Sequence, residues 1–202
     1  MRTGTYESRR YTSRAQKRVD RRERRLLGEL LDEAGCDGLV LDLPCGYGRM
    51  GDLIESAGGR VIHADLDPKR VRRAREHHPG GAGYLACDAT RIPFRDQALR
   101  GTVAVRLLQH MPDASVLEAV LAEMARISRA FVLVSYYSRA SLHRFQRPIR
   151  RALWKRMKRH VLMVDDRELE SIAERHGLRL ARRLRLLPGL HAQTFALFVR
   201  ST

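Results

Sequence analysis

The stretch Val40-Leu41-Asp42-Leu43-Pro44-Cys45-Gly46-Tyr47-Gly48-Arg49 constrains this chain more than any other. A short apolar run enters a turn holding two glycines and leaves toward a helical pattern. Strand, glycine turn and helix in that order open an open α/β sheet. Glycine allows the tight turn and a close approach of backbone to ligand. The N–H groups at the next helix start can receive a carboxylate or phosphate. The alternation then continues. Residues 39–43, 60–65, 83–87, 101–108 and 130–137 read as strands, and 50–57, 68–77, 113–128 and 166–176 as helices. An earlier helix is expected over 19–34, where Leu26, Leu27, Leu30, Leu31 and Ala34 recur at helical spacing. Residues 178–187 and 194–199 read as a closing hairpin through Pro188-Gly189. The expected fold is α/β: a Rossmann-like, doubly wound, mostly parallel seven-stranded sheet with an antiparallel C-terminal strand.

At 202 residues this is one ordinary domain with an arm or lid, and 44% apolar residues suffice for a core. No apolar run approaches the roughly 20 residues of a membrane span. Residues 1–25 contain no apolar stretch, so a secretory signal is not expected. Cys36, Cys45 and Cys87 form no CxxC or Cys/His cluster, which argues against a disulfide framework and a structural zinc site. A reduced, cytoplasmic setting and no metal are expected. The net charge of +16 is localised: residues 1–25 carry +7, residues 139–160 carry +9, and the remainder balances. The expected organisation is a basic arm (1–25) and a domain (26–202) interrupted by a basic, lid-like insertion (139–160).

Residues 46–51 read GYGRMG, a literal G-x-G-x-x-G, and Asp65 follows Gly46 by 19 residues. That suits a redox dinucleotide. Asp42 argues against it, because a carboxylate before the turn repels a pyrophosphate. Asp42, Asp65 and Asp88 fall at or near the ends of the first three strands, where ligands bind in such sheets. Three acids at one edge suit a ligand offering an amine, ribose hydroxyls and an adenine amino group.

The stretches VLDLPCGYGRM, VIHADLDPKRV, YLACDATRIPF, VRLLQHMPD and LAEMARISRAFVLVSYY occur in order over residues 20–137 or so. Together they resemble the class I S-adenosylmethionine-dependent methyltransferases of the small, type-11-like branch. The resemblance implies S-adenosylmethionine as cofactor. It places the methionine part over Asp42, Cys45, Gly46 and Gly48, the ribose on Asp65 beside Leu66, the adenine on Asp88 and Ala89, and the fourth-strand loop on Arg106, Leu107 and His110. Pro44 stands where a small residue is common, and the turn before the fifth strand is shortened. Asp67 is the alternative ribose acid; Asp65 is preferred because it directly follows the apolar run.

Methyl transfer needs alignment and, for a hydroxyl acceptor, a base. His110 is the candidate base. Tyr137 and His143, with Tyr11 and Arg14 from the arm, are candidate acceptor contacts. Tyr136 and Tyr137 alternate faces, so one of them faces the pocket. His77-His78 reads as a solvated helix end, and Trp154 as a core contact. The leading expectation is a methyltransferase acting on a small-molecule or lipid-like acceptor, with an anionic group matching the basic blocks. Peripheral contact with the inner face of a membrane is compatible with the basic amphipathic insertion. An RNA-modifying enzyme ranks behind it, because the basic blocks lack an aromatic stacking stripe. A non-catalytic cofactor-binding partner protein is the third reading. The sequence leaves the acceptor and the oligomeric state open.

Overall fold

The computed structural model describes residues 14–140, 161–187 and 192–201, with side chains from residue 16 onward. Tyr11, His143, Trp154, the Pro188-Gly189 turn and nearly all of the basic insertion lie outside the described residues, as does the side chain of Arg14.

The strands are β1 (Gly38–Asp42), β2 (Gly59–Asp65), β3 (Gly83–Ala86), β4 (Leu99–Ala104), β5 (Ser128–Tyr137), β6 (Leu178–Arg185) and β7 (Gln193–Arg200). They form one sheet in the order β3-β2-β1-β4-β5-β7-β6. The first five are parallel neighbours; β7 runs antiparallel to both β5 and β6. The described helices are α1 (Arg14–Ala34), α2 (Gly51–Ser56), α3 (Pro68–His77), α4 (Ala114–Ile127) and α5 (Asp166–Arg175). This is the expected Rossmann-like sheet.

Two apolar layers sandwich the sheet. Leu27, Leu30 and Leu31 of α1 bury against Val40, Val61, Val103, Phe131 and Phe195 on one face. Leu117, Val120, Leu121 and Met124 of α4 and Leu169 and Ile172 of α5 cover Leu41, Val132, Val134 and Tyr136 on the other. Side chains alternate along each strand, so one strand feeds both layers. The helix starts are fixed by side-chain caps: Asp67, Asp113 and Asp165 accept from Lys69, Val116 and Arg167 backbone N–H groups.

Two elements depart from expectation. α1 begins at Arg14, five residues before the expected start, so it crosses the expected arm boundary. Its first turns are polar, and ion pairs to the glycine turn take the place of apolar burial there. The fourth strand ends at Ala104, not 108; Leu108–His110 is a single 3-10 turn. The apolar run continues past the strand because Val105 and Leu108 pack inward from the loop.

Candidate functional site at the carboxyl edge of the sheet

The parallel strands bring their carboxyl ends to one edge. Asp42 ends β1 and pairs in register with His63 of β2 and Val103 of β4; Asp65 ends β2 opposite Ala86 of β3. The glycine turn lies over this edge. Gly46 and Gly48 have φ of 57° and 80°, the left-handed region that a side chain resists. Cys45 N–H bonds to Ala64 O at 2.7 Å, which pins the turn to β2.

Asp65 is the hinge of this arrangement. It is buried, and its two oxygens accept the N–H groups of Gly46 (3.1 Å) and Asp67 (3.0 Å). Each oxygen keeps a further acceptor position for a ligand hydroxyl. Asp67 caps α3 instead. Leu66, next along, is 72% exposed, an apolar surface that a flat heterocycle can cover. Asp88 is exposed and held as an anion by the backbone and hydroxyl of Thr90, which lower its pKa; Ala89 is half-buried beside it. These groups fit an adenosine: buried acceptors for hydroxyls, an exposed apolar side chain and an acceptor beyond it.

Asp42 sits differently from expectation. It is fully buried beneath the turn, and its Oδ1 has no hydrogen-bond partner. Burial raises its pKa, while the bond and charge of His63 and the charge of Arg49 oppose that rise. Cys45 is also buried, which pushes its thiol pKa up, and its place is that of a turn-fitting residue.

Arg106 follows β4 with φ of 63°, unusual for a residue with a side chain. Its N–H donates to Ser135 Oγ at 2.7 Å. Its guanidinium grips Glu23 of α1 through Nε (3.1 Å) and Nη2 (2.6 Å). Leu107 is half-buried, and His110 is exposed on the 3-10 turn that follows. Tyr137 is half-buried at the end of β5, while Tyr136 is buried on the opposite face and donates to Asp166 at 2.9 Å. Of the two tyrosines, Tyr137 therefore shares the face of Ser135 and the Arg106 loop.

Two groups of functional interest escaped sequence reading. Glu23 is fully buried and holds Arg49 (3.1 Å), Arg106 and Gln193 (2.7 Å) at once. Burial raises its pKa, but the two guanidiniums and the Gln193 amide outweigh it and hold it below the ordinary value. The signal was there: residue 23 lies on the stripe 23-27-30-31-34, where an apolar side chain is expected. The second is His78, which is not a solvated helix end. It lies 3.3 Å from His63 and 3.2 Å from Glu55, a partner distant in sequence that the sequence pattern did not reveal.

Residues 40–130 match a family of methyltransferase domains. The chain is 32% identical over 87 residues to the 18S rRNA (guanine-N(7))-methyltransferase bud23 of Schizosaccharomyces pombe, covering 43% of this chain and 32% of that protein. It is 32% identical over 111 residues to the ubiquinone/menaquinone biosynthesis C-methyltransferase UbiE of Desulfotalea psychrophila, covering 54% and 44%. The chain thus spans less than half the length of these curated relatives. Magnesium protoporphyrin IX methyltransferase of Synechocystis, solved with bound S-adenosylhomocysteine, superimposes with a TM-score of 0.75 at 15% identity, over 94% of this chain and 88% of that one.

Proposed function

We propose that this chain, whose residues 40–130 match a methyltransferase domain and whose fold is that of a solved methyltransferase, is a class I S-adenosylmethionine-dependent methyltransferase that transfers a methyl group to a small or lipid-like anionic acceptor. The observation that carries the cofactor assignment is Asp65: a buried acid tying the Gly46 turn to β2, beside the exposed Leu66. Asp65 and Asp88 take the ribose and adenine, and the Gly46–Gly48 turn takes the methionine part. S-adenosylmethionine supplies the activated methyl carbon. The chain supplies alignment, and the negative field of Asp42 beneath the turn favours a cationic ligand.

His110 and Tyr137 border the acceptor side. A hydroxyl acceptor requires a group to take its proton, and we assign that role to His110, exposed on the turn past the end of β4. The lipid-like reading is supported by the quinone-pathway relative and by the basic blocks, whose charge suits an anionic headgroup or carboxylate. No described helix is long and apolar enough to cross a membrane.

The ribosomal-RNA relative favours a second reading, in which the same basic blocks hold RNA phosphates. Calorimetry with S-adenosylmethionine and S-adenosylhomocysteine tests the cofactor; micromolar or tighter binding is expected, and no binding refutes the reading. Untargeted mass spectrometry of extracts incubated with protein and labelled cofactor then identifies the acceptor by its gain of label. Label in RNA, with RNA affinity that falls steeply with salt, would replace the small-acceptor reading.

A further inference from the structure

Behind the glycine turn, four ionisable side chains from four places in the fold stand in a row. Asp42 Oδ2 of β1 lies 3.3 Å from His63 Nδ1 of β2. His63 Nε2 lies 3.3 Å from Nδ1 of His78, at the end of α3. His78 Nε2 lies 3.2 Å from Glu55 Oε2 of α2. His63 is fully buried, and the side chain of Glu55 is 41% exposed, so the row runs from beneath the cofactor turn out to solvent. The packing is specific. A Cβ on Gly51 would come within 3.0 Å of both imidazoles, and one on Gly81 within 3.1 Å of His63. Among the described residues no set of three such groups converges on a metal position; this is a row and not a cage.

Counting hydrogens along the row sets how many protons it must hold. A neutral imidazole carries one N–H. The contact of Asp42 with His63 needs one hydrogen, on Nδ1 when Asp42 is ionised and on the carboxyl when it is not. The contact between the rings needs one hydrogen between Nε2 and Nδ1. The approach of Glu55 to His78 Nε2 is attractive with a hydrogen on that nitrogen, because a bare lone pair repels a carboxylate. With Asp42 ionised, all three hydrogens fall on two imidazoles, one more than two neutral rings hold.

We propose that His63 and His78 share one excess proton between Asp42 and Glu55, and that this buried positive charge keeps Asp42 ionised beneath the cofactor turn. His63 is thus a positioning residue for the charge that attracts a sulfonium. The part concerning the cofactor rests on the methyl-donor reading above. The other charges around the row are accounted for. Arg49 of the turn acts favourably on the Asp42 carboxylate and Asp65 of β2 unfavourably. Arg70 of α3 sits 3.6 Å from Asp65 and offsets it. From β3, Tyr84 stacks on His63 with centroids 5.7 Å apart and donates its hydroxyl hydrogen to the His78 carbonyl, while Arg75 lies over the Tyr84 ring. Asp52 of α2 pairs with Arg24 and is not part of the row.

The test has two arms, both on the full chain. Nitrogen NMR of ligand-free protein labelled at histidine, assigned with His78→Asn, reads the ring protonation directly. Three protonated nitrogens over the two rings at neutral pH are expected; two neutral imidazoles overturn the proposal. In the second arm, calorimetry compares S-adenosylmethionine, which carries the extra sulfonium charge, with S-adenosylhomocysteine, which lacks it. His63→Phe is expected to weaken the sulfonium ligand by about tenfold more than the thioether at neutral pH, with recovery at higher pH as Asp42 ionises unaided. His63→Asn, whose neutral amide keeps a donor to Asp42 but carries no charge, should recover the preference only in part; full recovery would show that a hydrogen bond without the buried positive charge suffices, and would overturn the proposal. An unchanged preference in His63→Phe, or equal weakening of both ligands at every pH, overturns it. Glu55→Gln, at the solvent end, guards against a Phe variant that does not fold. It should lose the third ring proton at a lower pH than the wild type, and an unmoved titration counts against the proposal. If the wild type binds neither ligand, the methyl-donor reading fails, while the nitrogen count still decides whether the proton is shared.

Discussion

Asp65 accepts two backbone N–H groups, one from the turn and one from the start of α3, so one carboxylate fixes the shape of the proposed ribose site. Asp65→Ala should strand those donors and the ribose hydroxyls. A loss of about 1–3 kcal/mol in S-adenosylhomocysteine affinity is expected by calorimetry. Gly48 is a purer backbone case. Its φ is 80°, and a Cβ there would make only ordinary contact with Ala74, at 3.4 Å and beyond. Gly48→Ala should therefore cost about 1–2 kcal/mol through backbone strain alone, read by chemical denaturation. At this scale the sequence showed where strands end, as at Asp42 and Asp65. It did not show the partner of Arg106, whose guanidinium holds an acid 83 residues earlier. Nor was burial readable. Asp42 and Asp65 look alike on paper, yet Asp42 lies sealed under the turn with one oxygen unpartnered.

Helix α1 is held at its two halves by different forces. Leu27, Leu30 and Leu31 bury fully, as their spacing requires. The preceding half is tied to the glycine turn by Asp20 and Glu23 on Arg49 and by Arg24 on Asp52 and the Arg49 carbonyl. Periodicity revealed the first half and missed the second, because ion pairs leave no apolar rhythm. Glu23→Ala should leave Arg49 and Arg106 without their buried counter-charge and cost about 3–5 kcal/mol, measured by urea denaturation. The sign with pH follows from its lowered pKa. Glu23 contributes fully above its ordinary value of 4.5, and the contribution is lost as pH falls through its lower folded-state value. Thermal melts in acid should therefore show a smaller difference between wild type and Glu23→Ala than melts at neutral pH.

For the molecule as a whole, the alternation of strands and helices was legible in periods of two and 3.6 along the chain, and the closing hairpin announced the antiparallel C-terminal strand. The strand order was not, because periodicity tells which face an apolar run buries and not which neighbour it pairs with. What the pattern could not supply was contact between distant polar groups, such as the Gln193 amide on Glu23 across 170 positions. A ligand that binds the folded sheet alone stabilises it by mass action. S-adenosylhomocysteine at a hundredfold excess over its Kd should add about 2.7 kcal/mol, seen as a rise in Tm; Asp65→Ala should show a smaller rise at the same concentration. The link between Glu23 and Gln193 has a temporal consequence as well. On the ribosome, the first helix emerges long before the last strand is made. Its buried acid must wait through nearly the entire synthesis for the amide that completes its shell. A nascent chain released before residue 193 would carry the whole glycine turn and yet lack one of the bonds that fasten the helix above it.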